Sequence, residues 1–336
     1  MGNLPPLLAM LLCLASSCEP GRTEEVTVEV PLGLEAVDTA FTTALFGDSL
    51  HSEVLFSGKG WLESPLVLPS GEVICSDVQN NQILRWTGSG SEVYLSPSGS
   101  AADDYSREPG SNGLALDHDG KLLLCQHGAR RVVRLENDPR REEPKFTVIA
   151  DGYRGKRFNS PNDLVVASDG SILFTDPPYG LPQDTVSDLG YYGVYRVDTT
   201  GEVFLLTKSF SRPNGIALNA QETRLYVSQS DGENPVVATL TYRPEEETES
   251  LIVKLLDAAN FPSGVPGAPD GMELDAAGRL FATVPGGLWI FDTESHRVLS
   301  KITSDRPISN LTISPAHDWL YLTNDDRLVR IKLNPI

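Results

Sequence analysis

Residues Arg157–Gly180 read RFNSPNDLVVASDGSILFTDPPYG. An Asn-Asp pair, Asn162 and Asp163, precedes a short apolar run, Leu164–Ala167. Ser168-Asp169-Gly170 follows, then a second apolar run and Thr175-Asp176. Two β-prone runs joined by Asp-Gly predict a hairpin, because Asp-Gly suits the positive backbone angles of a tight turn. Five further copies lie over this unit, led by Glu63, Asn112, Asn214, Asp270 and Asn310. With Asn162 in its place, successive leaders are 49, 50, 52, 56 and 40 residues apart by subtraction of positions. A period near fifty that holds four strands predicts a β-propeller.

The final unit has room for only three strands, ending in Leu328–Leu333. Ser52–Ser57 resembles the fourth strands of the other units, such as Phe146–Ala150. The expected fold is therefore an all-β, six-bladed β-propeller, its ring closed by an N-terminal strand that completes the last blade. The inner strands are near-continuous apolar runs, as expected of strands covered on both faces.

Residues 1–18, MGNLPPLLAMLLCLASSC, read as an export signal. Leu7–Leu14 is too short to span a bilayer. Small residues before Cys18 resemble a lipoprotein signal, with an ordinary cleaved signal as the alternative. The expected division is a signal at 1–18, a tether at 19–48 with a candidate strand at Val26–Val30, and the propeller at 49–336. That places the protein outside the cytoplasm, periplasmic or on the cell surface, held by lipid at Cys18. It is expected to be a monomer, with that lipid as its one membrane contact.

The 336 residues carry a formal charge of −19. Nucleic acid is excluded as a partner, since a phosphate backbone needs a basic face. Beyond the leader the two cysteines are Cys75 and Cys125, both on the second strand of their units, in adjacent repeats. Equivalent positions of neighbouring blades lie too far apart to bridge without strain, so two buried thiols are expected.

Six oxygen-bearing side chains precede six inner strands and would converge on one mouth of the central channel. Glu63 and Asp270 are carboxylates; Asn112, Asn162, Asn214 and Asn310 are amides. Such a set is costly to bury without a partner. A hard divalent cation would satisfy it through oxygen ligands. The absence of sulfur and paired His disfavours soft metals.

Glu63 with Pro65, RFNSPNDLVV at 157–166, FTDPPYG at 174–180, RPNGIAL at 212–218 and PDGMELDAAGRL at 269–280 together resemble a known family. It is the senescence-marker-protein/gluconolactonase/luciferin-regenerating-enzyme (regucalcin-like) family, and the resemblance covers about residues 52–334. It implies one divalent cation, calcium before zinc, manganese or magnesium, and hydrolysis of a sugar lactone. It implies Glu63, Asn162, Asn214 and Asp270 around the metal, with Asp270 as the acid/base. Asn112 matches a channel Asn of the gluconolactonase branch and is assigned to substrate, as Asn162 also is in some members. Ser64 departs from the family, which usually has Gly there.

The expected chemistry is Lewis-acid activation of the lactone carbonyl and attack by water. Asp270 would orient or deprotonate that water, although a carboxylate that also ligates a cation is a weak base at pH 7. Asp77, His127, Asp176 and Asn324 end second strands and form an outer layer. Of these His127, together with Arg157 and Tyr179, is a further candidate for substrate contact. No G-x-S-x-G points to an acyl-enzyme. Two alternatives stay open: an arylesterase or phosphotriesterase of the calcium-propeller type, and a binding propeller without chemistry.

Overall fold

A computed structural model describes residues 32–101, 108–181, 186–244 and 252–334. The expected export signal, Cys18 and the candidate strand Val26–Val30 lie outside these residues.

Six blades follow one another in the chain. The first is built from Leu62–Val67, Val73–Asp77, Gln82–Trp86 and Ser91–Leu95, paired in sequence order. The second, third and fourth begin at Leu114–Leu116, Leu164–Val166 and Pro213–Leu218 and repeat that meander. The fifth begins at Met272–Leu274 and the sixth at Asn310–Ile313. The six initial strands stand side by side around the centre, the last against the first.

Both faces of each sheet are packed, which explains the apolar runs. Ile74 faces the second blade, in a cluster with Leu114 and Leu124. Its neighbours Val73 and Cys75 face the sixth, beside Tyr321 and Leu328. Similar clusters fill the other seams, as with Leu173 and Ile216 between the third and fourth blades. Each such side chain contributes roughly 1.5–3 kcal/mol when fully buried. Cys75 and Cys125 lie in different seams as free, buried thiols.

The expected ring closure needs correction. No sheet among the described residues is closed by hydrogen bonds; each blade is an open sheet. Ser52–Phe56 pairs with Arg327–Lys332 and so becomes the outer edge of the sixth blade. Neighbouring blades present faces to one another, not edges, so the apolar seams hold the circle. At the last seam Ser309 Oγ donates to the Leu62 carbonyl at 2.6 Å, which joins two blades without extending a sheet.

Part of the 19–48 stretch, expected as a tether, is built into the fold. Leu32–Ala36 pairs with Arg297–Ser304 as a fifth strand of the fifth blade. The helix Thr39–Phe46 follows, capped by Asp38, whose Oδ1 accepts from Phe41 N at 3.0 Å. Leu45 and Phe46 are buried in the seam between the fifth and sixth blades.

Candidate active site

The first and second strands of a blade are antiparallel, so the start of one and the end of the other share one mouth. Glu63, Asn112, Asn162, Asn214 and Asn310 are all buried there. Asp270 is half-buried, yet its Oδ1 has no solvent access and, among the described residues, no hydrogen-bond partner.

Two devices bring these residues together. One is glycine. A Cβ on Gly215 would stand 2.2 Å from the Asp270 carbonyl oxygen. One on Gly271 would stand 2.2 Å from the Asn310 side chain. Only a residue without Cβ lets the inner strands approach this closely, which accounts for the Asn-Gly and Asp-Gly pairs. The other is a set of hydroxyls on the second strands. Ser76 Oγ donates to the Asn112 carbonyl at 2.7 Å. Thr175 Oγ1 does so to Asn214 and Ser228 Oγ to Asp270, both at 2.6 Å. Cys125 takes the equivalent place in the second blade, where the Asn162 carbonyl instead accepts from Gly113 N at 2.6 Å.

Ser64 stands at φ +46°, in the left-handed region that favours glycine. Its hydroxyl compensates by accepting from Leu114 N at 2.7 Å. The departure from the family pattern thus supplies a bond between the first and second blades.

Glu63 Oε1 accepts from the Trp61 indole at 2.8 Å. Burial pushes its carboxyl up to about 8, with the charges of Asp163 and Glu108 adding; Trp61 and Asn310 act against this. Asp270 is raised well above the usual range by burial, then by Glu63, Asp163 and Glu108; Asn214 opposes. No positive charge stands among the main influences on either carboxyl. Asn310 Oδ1 accepts from Leu311 N at 2.8 Å, so its amide nitrogen is the end that serves Glu63. Asn214 Nδ2 donates to Ser230 Oγ at 2.8 Å, and the same amide hydrogen-bonds the Asp270 carboxyl.

Among the described residues no group of three or more His, Cys, Asp and Glu forms a metal cluster. The set here is two carboxylates with amides. It fits a hard cation on one observation, the shielded and unbonded Asp270 Oδ1 beside a second buried carboxyl.

The outer layer is structural in part. Asp176 accepts from the backbone N–H of Asn159 at 2.9 Å and of Ser160 at 2.8 Å, shaping the chain that leads to Asn162. Asp77 holds Asn80, and Asn324 donates to the Pro307 carbonyl at 2.8 Å. Tyr179 donates its hydroxyl to the Arg212 carbonyl at 3.1 Å, and the charges of Asp270 and Glu108 act on it. Arg157 is exposed on a two-stranded hairpin, where Nη2 donates to the Ala129 carbonyl at 3.2 Å.

His127 is fully buried, with Nδ1 3.0 Å from the Pro161 carbonyl and Nε2 3.0 Å from Glu108 Oε2. Glu108 is the residue that sequence reasoning missed. It lies in the crossover between the first and second blades, where no repeat register marks it.

A six-bladed propeller with a ring of oxygens at one channel mouth defines the class of protein. The chain belongs to the SMP-30/Gluconolactonase/LRE-like family, whose profile matches residues 61–325. It is 35% identical over 301 residues to a gluconolactonase of Zymomonas mobilis, covering 86% of this chain and 83% of that one. A gluconolactonase structure from Xanthomonas campestris superposes with a TM-score of 0.75 at 28% identity, over 89% of this chain and 94% of that one. The calcium-binding regucalcin of Agrobacterium tumefaciens shares the fold, with a TM-score of 0.63 at 15% identity, over 85% of this chain and 96% of that one.

Proposed function

We propose that the protein is a lactone hydrolase that opens a sugar lactone of the gluconolactone type with one divalent cation, calcium before zinc, manganese or magnesium. The observation that carries this reading is the pairing of buried Glu63 with Asp270, whose Oδ1 has no partner, in a chain similar to gluconolactonases along most of its length.

Glu63, Asn162, Asn214 and Asp270 would hold the cation through oxygen. When bound, it supplies Lewis-acid polarisation of the substrate carbonyl. Asp270 orients a water molecule and takes its proton as the oxygen adds to the carbonyl. Ser228 fixes the Asp270 backbone, and Trp61 fixes the Glu63 carboxyl, so neither has to reorganise during reaction. Asn112 and Tyr179 contact the sugar from the wall of the mouth. The carbon–oxygen bond of the ring ester breaks, the leaving oxygen takes the proton from Asp270, and the product is the open hydroxy acid.

The test is hydrolysis by the purified protein of D-glucono-1,5-lactone, phenyl acetate and paraoxon, followed by acid release or chromophore. Lactone hydrolysis well above the other two supports the reading. Turnover of the aryl ester or phosphotriester alone would replace it.

A further inference from the structure

Ser228 and Ser230 lie two residues apart at the mouth end of the fourth blade's second strand, Arg224–Gln229, and both reach the fifth blade. Ser228 Oγ donates to the Asp270 carbonyl, and Ser230 Oγ donates to the Pro269 carbonyl, each at 2.6 Å. The two peptide groups that flank the Asp270 Cα are therefore pinned by one neighbouring strand. Two oxygens at 2.6 Å need a hydrogen between them, and a carbonyl has none to give. The single hydroxyl hydrogen of Ser230 thus lies on the Pro269 side. Towards Asn214, in its own blade, Ser230 Oγ can only accept, so the Asn214 amide turns its nitrogen to it at 2.8 Å. The same amide hydrogen-bonds the Asp270 carboxyl. Ser230 is itself held in place: its backbone N–H donates to the Arg212 carbonyl at 3.1 Å, which also takes the Tyr179 hydroxyl. That hydroxyl, from the third blade, is a further hydrogen-bonding neighbour of the Ser230 side chain.

Resting on the proposed cation at Glu63, Asn162, Asn214 and Asp270, we infer that Ser230 is a positioning residue: its hydroxyl fixes the orientation of the Asn214 amide against Asp270, and so sets the affinity of the site for the cation. The two ends of an amide are alike in shape, but one accepts and the other donates. Packing cannot choose between them; the hydrogen on a neighbour can. Without the Ser230 hydroxyl the amide loses that selection, and the Pro269 carbonyl loses its donor. Asn214 can then turn its oxygen to the Asp270 carboxyl, which sets two acceptors face to face. Groups that orient a metal ligand without touching the ion typically cost roughly ten- to a hundredfold in affinity when removed.

The experiment titrates calcium by calorimetry into chelator-stripped wild type, Ser230→Ala and Ser230→Thr, with zinc, manganese and magnesium titrated into wild type. Urea unfolding in chelator and hydrolysis of D-glucono-1,5-lactone across a calcium series are measured alongside. Ser230→Ala binds calcium about tenfold more weakly. Its half-maximal activity moves to about tenfold more calcium, while its KM for lactone at saturating calcium changes less than about twofold. Ser230→Thr keeps the hydroxyl and binds calcium within about threefold of wild type. A hydroxyl with a merely structural role would lower the urea midpoint in chelator and leave the calcium affinity where it was. Wild-type calcium affinity in Ser230→Ala, or a threonine variant as weak as the alanine variant, would overturn the inference while leaving the cation reading intact. A wild type that binds none of the four cations would overturn both.

Discussion

Ser228 Oγ joins two blades at the centre of the site: it donates to the Asp270 carbonyl at 2.6 Å and accepts from Gly215 N at 2.8 Å. Asp270 is thus positioned by its neighbour blade as much as by its own. Ser228→Ala leaves both backbone groups without this partner. The expected cost is about 2 kcal/mol of stability by urea unfolding, with a lower kcat for lactone opening. An alanine variant with unchanged stability and kcat would show that the hydroxyl does not position Asp270.

Ser64 makes the analogous link between the first and second blades, from a strained backbone. Ser64→Ala keeps the strain and loses the bond, at an expected cost of about 1–2 kcal/mol. Ser64→Gly also loses the bond but relieves roughly 1 kcal/mol of left-handed strain. The glycine variant should therefore unfold at higher urea than the alanine variant. The reverse order would remove the strain argument.

Gly215→Ala places a methyl group against the Asp270 carbonyl, where backbone rather than a flexible side chain must yield. Stability should fall by about 2 kcal/mol or more, because overpacking forces such shifts. Lactone turnover should fall with it. The same substitution at Gly232, which has open space around its Cβ position, should be silent in both assays.

Glu273 lies on the inner strand of the fifth blade, where its Oε2 accepts from Ile313 N at 3.1 Å. Burial first, then the charges of Asp163 and Asp275, push its carboxyl from 4.5 up to about 7. A carboxyl raised by folding stays protonated in the folded protein while the unfolded chain already ionises. Its contribution is therefore fully present below about pH 4.5 and is lost as pH rises to about 7. Glu273→Gln keeps the shape without the charge. Measured in chelator, its stability relative to wild type should improve between pH 4.5 and 7 by about 2–3 kcal/mol and stay flat above. A difference independent of pH would mean that Glu273 ionises normally.

The repeat carried most of the fold into view, because the six leading residues occupy one register and precede runs that both faces of a blade must cover. Closure was misjudged for a physical reason. Counting strands completes the sixth blade but does not show that blades meet face to face, where packing rather than sheet hydrogen bonds joins them. The strand Leu32–Ala36 and its helix carry no period; Asp38, three residues before Phe41, was the one local signal for the helix start. In the site, Glu63, Asp270 and the amides were legible as a ring. The hydroxyls of Ser76, Thr175 and Ser228 share a register too, one residue before the expected outer layer at the first and third blades. Glu108 was not legible, since its place depends on how a crossover folds onto His127.

The central claim is that Glu63 and Asp270 hold a divalent cation that the opening of a lactone requires. The most direct measurement is D-glucono-1,5-lactone hydrolysis by the chelated protein, with calcium, zinc, manganese or magnesium restored in turn. Glu63→Gln and Asp270→Ala are assayed beside wild type, with calcium binding followed by calorimetry. Chelation should lower the enzymatic rate at least about a hundredfold. Calcium should restore it in wild type alone, and both variants should bind calcium more weakly. Full activity in chelator, or unweakened calcium binding by both variants, would contradict the account.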